Sequence, residues 1–120
     1  MGVMPGATTF ASVPPTFADL AYADQSAAQK LDLYLPTTGD GPFPVVIMIH
    51  GGGFMFGDKD MEHYTRISRE VAAGGYVVFN VNYRLIQNGG VYPESVKDVK
   101  CAVRWARANA AQIGGDPTKI

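Results

Sequence analysis

The chain has 120 residues, 47% hydrophobic and 18% charged, and its 10 basic and 11 acidic side chains leave a formal net charge of −1. That composition excludes a disordered tail, a collagen-like repeat and a coiled coil. It also argues against a nucleic-acid partner, which needs clustered Lys and Arg to displace counterions from phosphates. Charged residues fall below the roughly 25% of an average soluble domain, and the 14 glycines exceed the usual ~7%. The chain should therefore bury an unusual share of its surface, or present faces that another segment covers.

The single cysteine, Cys101, excludes an internal disulfide framework and a multi-cysteine zinc site. Two isolated histidines, His50 and His63, do not specify a metal site either, so no metal is expected. Met1 to Thr16 contains no Lys or Arg, and no basic start runs into an apolar stretch as a secretory signal requires. The longest apolar runs, 45–49 and 76–79, are far short of the ~20 residues that span a bilayer. A soluble, cytoplasmic protein is expected.

In chain order, residues 1–16, with Pro5, Pro14 and Pro15, read as a flexible leader. Phe17–Tyr22 and Lys30–Leu35 alternate apolar with polar or small residues, which predicts an antiparallel pair of half-buried strands. The Gly- and Pro-rich stretch from Pro36 to Pro44 is a turn. Val45–Ile49 is continuously apolar and β-branched, as a strand of a parallel sheet covered on both faces is, and Tyr76–Asn82 reads as a second such strand. Between them, Met61, Tyr64, Ile67 and Val71 fall at helical spacing, with Asp60 as the expected N-cap and Gly74-Gly75 as the stop. A second helix should start near Pro93 and bury Val96, Val99, Val103, Ala106, Ala110 and Ile113. Gly114-Gly115 and Pro117 end it, and Lys119-Ile120 would begin a further strand. The fold class is α/β: an antiparallel pair leading into parallel βαβα units.

The strand ending at Ile49 runs straight into His50-Gly51-Gly52-Gly53-Phe54. Consecutive glycines at the carboxyl end of a buried parallel strand sit where an open α/β sheet places its ligand. Without Cβ atoms, backbone N–H groups can approach a developing negative charge closely, as an oxyanion hole requires. A phosphate-loop reading of Gly52 to Lys59 fails, because Asp58 intrudes before the lysine and no Ser or Thr follows it.

His50-Gly51-Gly52-Gly53 resembles the HGGG loop of α/β-hydrolase esterases and lipases. The likeness continues through Lys30–Pro36, Phe54–Asp58, Asn82-Tyr83-Arg84-Leu85 and the segment from Pro93 with Asp98, Trp105, Asn109 and Gly115-Asp116-Pro117. It covers residues 17–120 and is nearest to the bacterial feruloyl-esterase-like and hormone-sensitive-lipase-like carboxylesterases.

That resemblance implies the N-terminal half of an α/β-hydrolase domain over 17–120, with an activity on small-molecule esters and no cofactor. It implies Gly52 and Gly53 as oxyanion donors, with His50 and Gly51 supporting the loop, Gly51 as its turn-former. His50 is not then the triad base. Phe54, Met55 and Phe56 become candidates for a substrate pocket. Arg84 is expected to hold a loop through a carboxylate, with Asp98 as one candidate. Asp58 should cap the helix, with fixing the loop as the other reading, Cys101 should be inert, and Trp105 should belong to the core or to a cation–π contact. The family's G-x-S-x-G elbow is missing: Ser12, Ser26, Ser68 and Ser95 all stand in other contexts. The expected protein is thus a hydrolase fragment, inactive alone, that needs a C-terminal half or associates with itself. An arylformamidase or peptidase of the same fold, or a non-catalytic interaction module on the same scaffold, is the alternative.

Overall fold

The computed structural model describes residues 13–120, so most of the expected leader lies outside the described residues. The described part of it is tied down. Val13 N–H donates to Thr65 Oγ1 at 2.9 Å, Tyr34 Oη donates to the Val13 carbonyl at 2.8 Å, and Thr16 N–H donates to the Leu33 carbonyl at 2.8 Å.

Strands β1 (Phe17–Ala21) and β2 (Lys30–Tyr34) pair antiparallel. β2 in turn pairs antiparallel with β4 (Val77–Val81), which pairs parallel with β3 (Val45–Ile49), so the sheet order is β1-β2-β4-β3. The antiparallel pair leading into a parallel β–α–β unit is the architecture expected. The described part of the sheet ends at β3, whose central residues are half-buried and whose Ile49 is exposed. The expectation of full cover on both faces holds only for β4, which has a neighbour on each side and is buried throughout.

β2 departs from its pattern. Alternation would put Asp32 in solvent on a half-buried strand, yet Leu31 to Tyr34 are all buried. The strand lies between two others and has a core on each face. Leu31, Leu33, Val77, Phe79 and Val81 pack with Ala102 and Ala106 on one face, and Tyr34 and Val78 pack with Ala72 on the other.

Helix α1 (Glu62–Ala73) buries Thr65, Ser68 and Ala72, while Met61 and Ile67 of the predicted apolar stripe are exposed. Small side chains let the helix approach the sheet closely, and Thr65 satisfies its hydroxyl by donating to the Glu62 carbonyl at 2.9 Å. The N-cap residue is Met61, not Asp60, whose carboxylate turns to Lys59 Nζ at 3.3 Å. Helix α2 (Glu94–Asn109) buries Ser95, Asp98, Ala102 and Ala106, continuing to Ala110 in a short 3₁₀ turn over Ala110–Ile113. The predicted stripe is therefore right at Ala106 and Ala110 and rotated at its start, where Val96 is exposed. Ion pairing draws Asp98 inward and turns the first helical turns with it.

Beyond α2 the chain returns to the open side of β3. Phe43 and Gly115 form a parallel bridge, and Val45 N–H donates to the Lys119 carbonyl at 2.8 Å. Lys119-Ile120 is not a strand, but it occupies the position beside β3 where one would begin.

Candidate functional site

The carboxyl end of β3 delivers His50 to a buried position and then leaves Gly51, Gly52 and Gly53 at the surface. The left-handed conformations fall at Gly52 (φ 138°), Gly53 (φ 64°) and Phe54 (φ 67°), not at Gly51, so the turn is made one residue later than expected. Within the triple-glycine run, Gly52 is the position most intolerant of a side chain, because a Cβ there would collide with the backbone of Phe56.

Each peptide plane of this loop is pinned through its carbonyl. The His50 carbonyl accepts from Tyr83 Oη at 2.7 Å. His50 Nδ1 lies 2.8 Å from the Gly51 carbonyl, and since a carbonyl only accepts, Nδ1 carries the hydrogen. The Gly52 carbonyl accepts from Met55 N–H and Phe56 N–H, both at 3.1 Å. In a trans peptide the N–H points opposite to the C=O, so fixing three carbonyls fixes the directions of the N–H groups of Gly51, Gly52 and Gly53. Gly51 N–H donates to Tyr64 Oη at 2.9 Å. Among the described residues, neither Gly52 N–H nor Gly53 N–H meets an acceptor.

The His50 ring stacks on Tyr83 with centroids 4.6 Å apart, and Gly57 approaches it so closely that a Cβ there would collide with Nδ1. The buried His50 ring thus contacts Tyr83, Gly57 and the Gly51 carbonyl at once. Burial pushes the Tyr83 hydroxyl above its ordinary pKa of 10.0, so it remains a donor at neutral pH. The glycine run opens on a cleft of about 350 Å³ lined also by Ile49, Phe54, Tyr83, Ser95, Val96 and Val99. Of the three residues expected in a substrate pocket, Phe54 lines this cleft and Met55 and Phe56 do not. The turn closed on the Gly52 carbonyl carries both of them outward, leaving Phe56 69% exposed.

The loops flanking the glycines are held by ionic clusters. Arg84 meets Asp98 as a fork, Nε to Oδ2 and Nη2 to Oδ1 at 2.9 Å each, and its own N–H donates to Oδ2 at 2.9 Å. Asp98 is therefore the partner the sequence left open. Gln29, buried in the loop between β1 and β2, completes it by donating to Asp98 Oδ1 at 2.8 Å. Asp58 fixes the loop and does not cap α1: its carboxylate accepts from Asp60 N–H at 2.8 Å and from Asn82 Nδ2 at 3.2 Å.

Lys59, Gln29 and Tyr64 were missed as site-building residues. Lys59 stands between two aspartates and reads as part of a solvated charge run, yet it is buried, with Nζ 2.8 Å from Asp19 and 2.9 Å from Asp32. Cys101 is half-buried and lies 3.7 Å from the Tyr22 carbonyl, Trp105 meets Phe79 edge-on in the core, and His63 rests against Tyr64. Among the described residues no cluster of potential metal ligands occurs, and no helix is long and apolar enough to cross a membrane.

The BD-FAE family model matches residues 31–120. The chain belongs to the BD-FAE family. Its curated relatives include Esterase LipC of Mycobacterium tuberculosis, 37% identical over 99 residues, which takes in 79% of this chain and 23% of that protein. The versiconal hemiacetal acetate esterase of Dothistroma septosporum is 41% identical over 82 residues, 67% of this chain and 24% of that one. Among solved structures, a butyrate-bound esterase from Thermogutta terrifontis superposes with a TM-score of 0.77 at 27% identity, over 88% of this chain and 39% of its own. This BD-FAE chain accordingly folds as a portion of an α/β-hydrolase, and it spans about a quarter of the length of those two curated relatives.

Proposed function

We propose that this chain supplies the oxyanion-binding portion of a serine carboxylic ester hydrolase, with Gly52 N–H and Gly53 N–H receiving the negative charge that develops on the ester carbonyl. The observation that carries the reading is the sorting of the loop's amides. Gly51 N–H is consumed by Tyr64, and the two that remain are aimed by pinned peptide planes beside an apolar cleft. Such donors need no reorganisation when charge appears, and the loss of one typically lowers the rate about 10²–10³-fold.

In this reading His50 and Gly51 hold the loop, and Phe54 contributes a wall for the acyl or alcohol group. Attack, proton transfer and orientation of the base fall to a Ser, a His and an Asp or Glu lying outside these 120 residues. The esterase names of the relatives support esters as the substrate class. The segment that adds the nucleophile packs beside β3, where Val45 N–H already meets the Lys119 carbonyl. Beyond Val45 this edge has no strand beside it among the described residues, and an unpaired edge is a template for pairing, so the 120-residue chain alone self-associates through it.

The test uses p-nitrophenyl acetate. The 120-residue chain by itself gives no serine-dependent turnover, and the complete enzyme does. In the complete enzyme Gly52→Ala lowers kcat by about 10²–10³, since its Cβ forces the loop away from the Phe56 backbone. Undiminished kcat in Gly52→Ala, or serine-dependent turnover by the chain alone, overturns the reading. Faster turnover of matched formanilide or peptide substrates moves the bond class from ester to amide and leaves the role of the glycines intact.

A further inference from the structure

The peptide unit between His50 and Gly51 is gripped at both ends by tyrosine hydroxyls of opposite polarity. On one side Tyr83 Oη donates to its carbonyl at 2.7 Å, and on the other its N–H donates to Tyr64 Oη at 2.9 Å. Tyr83 follows β4 and lines the cleft. Tyr64 comes from α1, on the other face of the sheet from α2, and is not among the residues lining that cleft. Its ring is tilted against two imidazoles, with centroids 6.1 Å from His50 and 4.0 Å from His63.

We infer that Tyr64 is a positioning residue for the oxyanion site, acting through Gly51. The inference rests on the reading of Gly52 and Gly53 as the oxyanion donors. Three adjacent glycine amides offer three candidate donors, and glycine peptide planes rotate easily because no Cβ restrains them. The Tyr64 hydroxyl withdraws the first amide from that competition. Together with Tyr83 it leaves the 50–51 peptide no free end about which to flip, and the next plane starts from a fixed direction. With the carbonyl end held by Tyr83, the hydroxyl thereby secures which two amides face the substrate, without touching the substrate.

The experiment is Tyr64→Phe in the complete enzyme, which keeps the ring and its contacts with His50 and His63 and removes only the hydroxyl. Amide hydrogen exchange at Gly51 is expected to quicken about tenfold or more, and kcat for p-nitrophenyl acetate to fall about fivefold to tenfold with KM unchanged. The thermal midpoint moves little. Tyr64→Gln, which returns an acceptor oxygen, recovers part of both the protection and the kcat. Unchanged exchange at Gly51 overturns the inference, because the hydroxyl then holds nothing. Unchanged kcat in Tyr64→Phe beside a crippled Gly52→Ala overturns the positioning role and leaves the oxyanion reading standing. If Gly52→Ala keeps full kcat, the oxyanion reading fails and the positioning role fails with it.

Discussion

Two buried ionic clusters flank the glycine loop, and they are built on opposite plans. In the first, a single ammonium is shared: Lys59 Nζ meets Asp19, Asp32 and Asp60 at 2.8, 2.9 and 3.3 Å. In the second, a single carboxylate is saturated: Asp98 accepts two bonds from the Arg84 guanidinium, one from Arg84 N–H and one from Gln29. Both tie down chain that has just left the carboxyl end of a parallel strand. Lys59 anchors the exit of the glycine loop, and Arg84 anchors the turn after β4. A guanidinium fork matches both oxygens of one carboxylate, whereas an ammonium acts as a point charge that several groups can share.

The plans differ in what burial does to the acid. Burial drives the Asp32 carboxyl above its ordinary 3.8, and the hydrogen bonds from Asp19 N–H and Lys59 do not undo it. Burial also opposes ionisation of Asp98, but there the Arg84 side chain, the Arg84 N–H and Gln29 prevail, and the carboxyl lies below 3.8. Stability owed to Asp98 is thus present above its unfolded pKa and is lost as pH falls through the lowered folded value. Asp32 runs the other way: its contribution is present below 3.8 and is lost as pH rises through the raised folded value. At neutral pH its ionised form costs stability that Lys59 offsets only in part.

The largest effect expected from this contrast is that of Asp98→Ala. It leaves a guanidinium that cannot shed its proton, a backbone N–H and the Gln29 amide without their acceptor, at a cost of about 3–5 kcal/mol. Urea unfolding of variant and parent measures it, and a loss under about 1 kcal/mol would reduce the fork to an ordinary surface pair. Lys59→Met ranks second at about 2 kcal/mol, because the carboxylate left behind can take up a proton. The two penalties also part with pH. As pH is lowered toward the raised value of Asp32, the Lys59→Met penalty shrinks, while the Asp98→Ala penalty persists until Asp98 itself protonates. Parallel pH profiles for the two variants would break the distinction.

That contrast also marks how far the sequence could be read. Strand and helix positions were legible because apolar periodicity and glycine punctuation are local, and the glycine loop was legible because a run of three glycines at a strand end stands out in one dimension. The Arg84–Asp98 pair was half-legible: an arginine needing a carboxylate can be seen in one dimension, but the choice of Asp98 requires the crossing of β4 and α2. Lys59 was illegible. Its neighbours Asp58 and Asp60 make it look solvated, and Asp32 looks exposed by strand alternation; each is buried only because the other is. Tyr64, in the apolar stripe of α1, reads as a packing residue for the same reason, since its acceptor role depends on where β3 ends. Pairwise dependence across distant segments leaves no trace in local pattern.

The smallest expected effects lie at the rims of the two clusters, where they test whether the inner pairs carry the stability. Asp19 has a side chain 70% exposed, against 2% for Asp32, although the two stand equally near Lys59 Nζ. Asp19→Asn removes the rim charge while tolerating the left-handed backbone at this position, φ 57°, which asparagine adopts more readily than most residues. The backbone bond from residue 19 to Asp32 Oδ1, 2.8 Å, survives the change. Exposed ion pairs contribute about 0.2–1 kcal/mol and are screened by salt, so the loss should fall near the bottom of that range and fade further at high ionic strength. Glu94→Gln, at the rim of the Arg84 cluster and 3.5 Å from Nη2, should behave alike. A salt-insensitive loss of about 2 kcal/mol or more from Asp19→Asn would mean that Lys59 depends on all of its acids together, and that its cluster cannot be divided into an inner pair and a rim.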